Sequence, residues 1–183
     1  MLSKTIKAQA QAVDIGSISE LKGNAQVYRD KAYGAELAFP IQQLDNVKTE
    51  AGRVAIRFED DTVVRVMDHS KLVINSYIYD PNPKKSEMAL RFASGTARFV
   101  TGKFNNKKAI RIQTPSADVF VRGTDFTITT TPETGASLVI LLPDEYGNSS
   151  GEISVETAAG QVVLNQPYQA TTTTTFTSIP SKP

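Results

Sequence analysis

Cysteine and tryptophan are absent from this chain of 183 residues, and histidine occurs once, at His69. Without thiols there is no disulfide, no iron–sulfur cluster and no thiolate metal centre. With a single imidazole, a histidine-based triad has one candidate base. It sits in "VMDHSKL", between Asp68 and Ser70. That stretch reads as a surface turn, and triad members meet in space rather than in sequence. An excess of one charge is also missing: Lys plus Arg number 20 against 19 Asp plus Glu. No field of one sign gathers nucleic acid or an anionic membrane, so neither is expected as a partner. The Lys84–Lys85 and Lys107–Lys108 pairs lie beside Asn and Pro and read as solvated turns. No run approaches the roughly 18 apolar residues of a membrane span. The opening "MLSKTIKAQAQAVDIG" lacks the apolar stretch of a signal peptide between its lysines and Ala8-Gln9-Ala10. As written, the chain is expected to be neither exported by a simple signal nor anchored, unless a segment precedes it. P-loop and Gly-x-Gly-x-x-Gly motifs are absent, and no cofactor is expected.

What the sequence does contain is short alternating runs. In "RVAIRFED", Val54, Ile56 and Phe58 fall on one face and Arg53, Ala55 and Arg57 on the other. "GNAQVYR", "TVVRVMD", "KLVINSYIYD", "MALRFASG", "TARFVTG", "KAIRIQT", "ADVFVRG", "DFTITTT", "SLVILLP", "EISVETA" and "QVVLNQ" follow the same period. Period-two patterning bounded by Gly, Asn, Asp and Pro predicts strands, and so many of them predict an all-β roll, solenoid-like stack or sandwich. "FNNKK" (104–108) and "TPETGAS" (131–137) predict hairpins, "PDEYGNSSG" (143–151) a longer loop, and "TAAGQ" (157–161) a tight turn. Helical patterning is confined at most to "SISELKG" and "PIQQLDNV". The end, "PYQATTTTTFTSIPSKP", favours extended backbone but offers little to bury. It predicts an arm beyond the core that is disordered or adds as a strand to a partner. Tyr168, Thr171, Thr173, Phe176 and Ile179 are its candidate partner-binding residues.

The chain also reads as a plan used twice. Gly23 and Gly95 each open a Gly-x-Ala-x-apolar run. Thr49 and Thr114 follow, then Val54 and Val119, Arg57 and Arg122, Asp60 and Asp125, with a third Gly-x-Ile-x-Val start at Gly151. Three segments result: an extension over 1–12, a β domain over 13–166 with halves at about 13–80 and 86–166, and the tail over 167–183. Two modules, each with one apolar face, would close a single core. In "TPSADVFVRGTDF" the strand runs into Arg122-Gly123-Thr124-Asp125. A guanidinium carries several hydrogen bonds at once. Arg57, Asp60, Arg122, Gly123 and Asp125 are therefore expected to form a structural corner, with Asp60 or Asp61 as the alternative carboxylate for Arg122. An Arg122 so bonded and buried would cost about 1–3 kcal/mol on Arg122→Lys.

The acidic stretches "EDD" (59–61) and "DEYGN" (144–148) are weak candidates for calcium and match no EF-hand loop. No two carboxylates stand out for glycoside hydrolysis, and Tyr77 and Tyr79, two apart, read as packing or as a contact surface. No catalytic, metal or cofactor residue is assigned, and the expected class is non-enzymatic.

At these residues a family likeness becomes visible. "TPSADVFVRGTDFTI", with "GNAQV", "DNVKTEAGRVAIRFEDDTVVRV", "SKLVINSYIYDP", "ALRFASGTARFVTGK" and "SGEISVETAAGQVVLNQ", closely resembles the FecR-like domain over about residues 13–166. The resemblance implies an all-β domain of roll or solenoid type. In bacterial signalling members such a domain works in the periplasm, sensing an outer-membrane transporter, while an N-terminal cytoplasmic segment controls a sigma factor. This sequence shows no such helical segment. FecR-like domains also resemble modules in virion proteins of tailed phages. The resemblance therefore implies a structural module of the phage tail or baseplate, assembled in host cytoplasm. Its partners would be other virion proteins and copies of itself. A periplasmic sensing or scaffold protein of the bacterial envelope is the alternative.

Overall fold

A computed structural model describes residues 12–103 and 110–183, and they form one 14-stranded sheet folded over on itself. The strands are β1 (Asp14–Tyr28), β2 (Ala32–Gly34), β3 (Pro40–Gln42), β4 (Asn46–Phe58), β5 (Val63–Val66), β6 (Lys71–Ile78), β7 (Glu87–Val100), β8 (Ile110–Gln113), β9 (Asp118–Arg122), β10 (Asp125–Thr130), β11 (Ser137–Leu141), β12 (Glu152–Thr157), β13 (Gly160–Leu164) and β14 (Ala170–Thr173). Among the described residues there is no α-helix, only a single 3-10 turn at Pro83–Lys85. The all-β expectation holds.

Three long strands, β1, β4 and β7, each serve two layers. The first layer runs β2, β1, β4, β6, β7, β8, β9, β12, β13, using the second half of β1 and the first halves of β4 and β7. The second layer runs β3, β1, β4, β5, β7, β10, β11, β14, using the other halves. The strands bend where glycine permits it. Gly23 has φ +71° and Gly95 has φ +94°. A Cβ on Gly95 would stand 2.0 Å from Ser70 Oγ, and one on Gly52 would stand 2.5 Å from the Asn24 nitrogen. The two stretches "MALRFASG" and "TARFVTG" are thus one bent strand.

Alternate residues from both layers point into the space between them. Phe58 stacks on Tyr77 at 5.4 Å and Phe92 meets Phe99 edge-on at 6.3 Å, each pair crossing the layers. Phe99 stacks on Phe126 at 5.0 Å. Phe58, Phe92, Phe99 and Phe126 are all fully buried, each stabilising by roughly 1.5–3 kcal/mol.

Several local expectations change. "SISELKG" lies within β1, because pairing with β4 satisfies its backbone. "PIQQLDNV" is β3, a turn and the start of β4. Leu44 takes φ +72° and is exposed, and Asp45 accepts a bond from the Gln42 amide at 2.8 Å. The "FNNKK" stretch, expected to turn a hairpin, lies outside the described residues; the strands that precede and follow it, β7 and β8, pair in parallel, Met88 opposite Ile110. The "TPETGAS" and "TAAGQ" hairpins are present, with Thr130 opposite Ser137 and Thr157 opposite Gly160. His69 is an exposed turn residue with φ +51°.

The tail is not a free arm. β14 pairs with β11, Leu138 opposite Thr172, and the last residues fold back so that the Ser181 amide donates to the Thr172 carbonyl at 2.9 Å. Threonine supplies this in two ways: β-branching suits the strand, and inward hydroxyls bond to other hydroxyls. Thr173 and Ser116 lie 2.7 Å apart, Ser116 donates to Ser137 at 3.2 Å, and Ser137 and Thr130 lie 2.9 Å apart. This buried hydroxyl chain ties the β8–β9 turn to β10, β11 and β14.

Candidate functional site

The corner residues singled out in the sequence lie at one end of the sandwich, where the turns at 59–62, 101–103, 123–124 and 142–151 gather. The turns are the means by which strands change layer. β9 belongs to the first layer and β10 to the second, and Gly123, with φ +53°, makes the crossing. β4 and β5, by contrast, pair with each other. The two passes read from the sequence therefore differ in topology at the point where their arginines and acids stand.

That difference separates the expected corner. Arg122 is exposed, and its side chain has no ion pair or hydrogen bond among the described residues. Asp125 takes its guanidinium from Arg98 on β7, at 2.9 and 2.6 Å, and the bidentate bond raises the Arg98 pKa. The Asp125 amide donates to Ser150 at 3.0 Å, and Ser150 donates to the Leu142 carbonyl at 2.6 Å. Arg57 reaches Asp61, not Asp60, at 3.3 Å, and Lys103 binds the same carboxylate at 2.8 Å. Lys103 first, then Arg57, hold Asp61 below the usual carboxylate range. These pairs are well exposed, and such pairs contribute little to stability.

Asp60 is fully buried, and its carboxylate is tied by two hydroxyls and, at 3.4 Å, by the Thr62 amide. The Thr62 hydroxyl donates to one carboxylate oxygen and accepts from the Gly102 amide at 2.9 Å. The Tyr77 hydroxyl donates to the other oxygen at 3.1 Å and accepts from the Asp60 amide at 2.9 Å. The Lys103 amide donates to the Asp60 carbonyl at 2.8 Å. Three segments of chain meet on this one residue. Burial raises the Asp60 pKa against the opposing pull of Thr62 and Tyr77. Burial, and then the Asp60 charge, push the Tyr77 phenol far above its ordinary value. Of the two tyrosines read as packing or as a contact surface, Tyr77 packs inside and Tyr79 is exposed. Nothing in the local pattern marks the Asp60–Tyr77 bond, because it joins the two layers.

The acidic candidates for calcium are otherwise engaged. Asp60 and Asp61 have the partners just given, and Asp144 accepts the Tyr146 and Asn148 amides, each at 2.9 Å, to shape its own loop. Among the described residues no three His, Asp or Glu side chains gather as metal ligands do. Of the expected partner-binding residues, Thr171 and Thr173 are buried inside the chain itself, whereas Tyr168, Phe176 and Ile179 are exposed.

Comparison with known proteins bears on this arrangement directly. A family model described as FecR protein matches residues 45–163. The chain belongs to the FecR family. The matched stretch takes in β4 to β12 and most of β13, including the Asp60 tie and the β9–β10 crossing; β1 to β3 and β14 lie outside it. Two crystal structures of a candidate anti-sigma factor from Parabacteroides distasonis ATCC 8503, at 2.50 and 1.65 Å resolution, share the fold of this FecR chain. Each has a TM-score of 0.56 and 15% identity, covering 74% of this chain and 57% of the neighbour. The FecR chain here thus spans little more than half of those proteins. No curated protein matches it.

Proposed function

We propose that this FecR chain is a non-enzymatic module that acts by binding other proteins through its outer surfaces. The observation that carries this reading is the use made of its acids. Asp60, Asp61, Asp125 and Asp144 each spend their carboxylates on joining one piece of backbone or one strand to another. Groups so engaged hold a shape, and a shape with broad exposed sheet faces is suited to contact.

Two settings employ such a module. A sensing or scaffold role at the bacterial envelope is favoured by the shared fold with a candidate anti-sigma factor. A structural role in a phage tail or baseplate, with virion proteins and further copies as partners, follows from the sequence resemblance alone. Cross-linking mass spectrometry of the protein in its source material tests both. Cross-links from outer sheet faces to envelope proteins support the first setting, and cross-links to particle proteins in purified virions support the second. Cleavage of a glycan by the purified chain, lost on replacing one acid, would overturn the module reading.

A further inference from the structure

The outer side of β1, β4 and β5 carries a groove that takes no part in the corner. Lys22 and Arg53 stand directly opposite each other in the β1–β4 register, so their side chains leave the same face side by side. Like charges in that relation oppose strand pairing. In the neighbouring row Glu20 stands opposite Ala55, and Ala55 opposite Arg65. Arg65 is satisfied by Glu20 at 3.0 Å. Lys22 and Arg53 are exposed and have no carboxylate partner among the described residues.

The shape is built as deliberately as the charge. Against β4, β1 shifts register twice, between Ile18 and Glu20 and between Gly23 and Ala25, so bulges bracket the stretch that bears Glu20 and Lys22. Bulges bend a strand and re-aim its side chains. Ala55, short among long neighbours, forms the floor of a depression of about 240 Å³. Lys22, Arg53 and Met67 also border a second depression of about 380 Å³, which continues over Gly23 and Gly52. Together they make a channel whose lining sets Lys22, Arg53 and Arg65 against two acids, Glu20, which is paired with Arg65, and Asp68 at the far end, with Leu21, Val54 and Met67 as its apolar parts.

We propose that this channel docks an extended, carboxylate-bearing segment of a partner protein, whose acids pair with Lys22 and Arg53. Charge complementarity selects the occupant: guanidinium and ammonium groups left unpaired side by side are satisfied by carboxylates presented along a strand. The inference rests on the module reading and adds the chemistry of one partner to it. Lys22, on β1, lies outside the stretch matched by the family model, whereas Arg53 and Met67 lie within it.

The test is a titration of the isotope-labelled full chain with acetylated hexaglutamate, followed by amide NMR. Acetylated hexalysine and inorganic phosphate serve as controls at matched ionic strength. Shifts confined to amides around residues 20–23, 52–55 and 65–68, weakening with salt, are expected. Lys22→Thr with Arg53→Thr should weaken binding about tenfold, the yield of two exposed ion pairs. The same change should leave the urea midpoint unchanged or raised, because repulsion is relieved. Each threonine replacement is also made singly and should give a partial loss of binding without loss of stability. Shifts spread over the whole surface, equal shifts with phosphate alone, unaltered binding by the double variant, or a lowered midpoint in the single variants would each overturn the proposal. If the proposal fails while cross-links map to other faces, the module reading stands without this channel.

Discussion

Tyr77→Phe isolates the tie between the layers. The phenylalanine ring keeps the stack on Phe58 at 5.4 Å, so the packing is retained. What is lost is one oxygen that accepts from the Asp60 amide and donates to the Asp60 carboxylate. A buried amide is left without an acceptor and a buried carboxylate with one donor fewer, which costs about 1–3 kcal/mol. For a chain of this size that lowers Tm by roughly 3–10 °C. The cost depends on pH in a defined direction. The folded pKa of Asp60 is raised above its unfolded value, chiefly by burial. Its contribution to stability is therefore fullest below the unfolded pKa and declines as pH rises through the folded one. Removing a donor to the ionised form raises the folded pKa further, so Tyr77→Phe should cost more at neutral pH than in mild acid. Urea titrations of wild type and variant at both pH values measure it, with an unchanged m value as the sign that the same surface unfolds. Asp60→Asn should flatten the same pH dependence. A penalty below about 0.5 kcal/mol, or one independent of pH, would refute the reasoning.

Arg122→Lys should change stability by less than about 0.5 kcal/mol in a denaturant titration, since the side chain is exposed and without a protein partner among the described residues. Gly95→Ala should cost about 3 kcal/mol, read as a lowered urea midpoint, because φ is +94° and the added methyl meets Ser70. Thr173→Val keeps the shape of β14 but deprives Ser116 of a buried partner, and should cost about 1–2 kcal/mol by the same measurement. Ending the chain after Gln166 removes β14 and bares the edge of β11, so size-exclusion chromatography should show association or aggregation in place of the wild-type elution.

The fold class was legible because strand periodicity is a local property. Val54, Ile56 and Phe58 alternate with Arg53, Ala55 and Arg57 in the sequence; the first three are buried and Arg53 and Arg57 exposed as that pattern requires, while Ala55 is buried beneath its longer neighbours. The glycines at 23 and 95 were visible as repeated marks, and both mark bends. The tail misled because threonine offers little apolar area, whereas its inward hydroxyls are satisfied by Ser116 and Ser181, residues far off in the chain or folded back upon it. The corner misled for a related reason. Arg122 and Asp125 are close in sequence, but the chain changes layer between them, and Arg98, two strands' length earlier, is set beside Asp125 by the register of β7 with β10.

Alternation and turn residues by themselves determined that this protein is built of strands, and which side chains of each strand face inward, because a pleated strand gives every second residue the same direction. Which charges and hydroxyls meet was decided by tertiary structure alone. Register and layer change bring together Asp60 and Tyr77, Arg98 and Asp125, Lys22 and Arg53, and such pairings depend on the path of the whole sheet and not on the spacing of any one stretch.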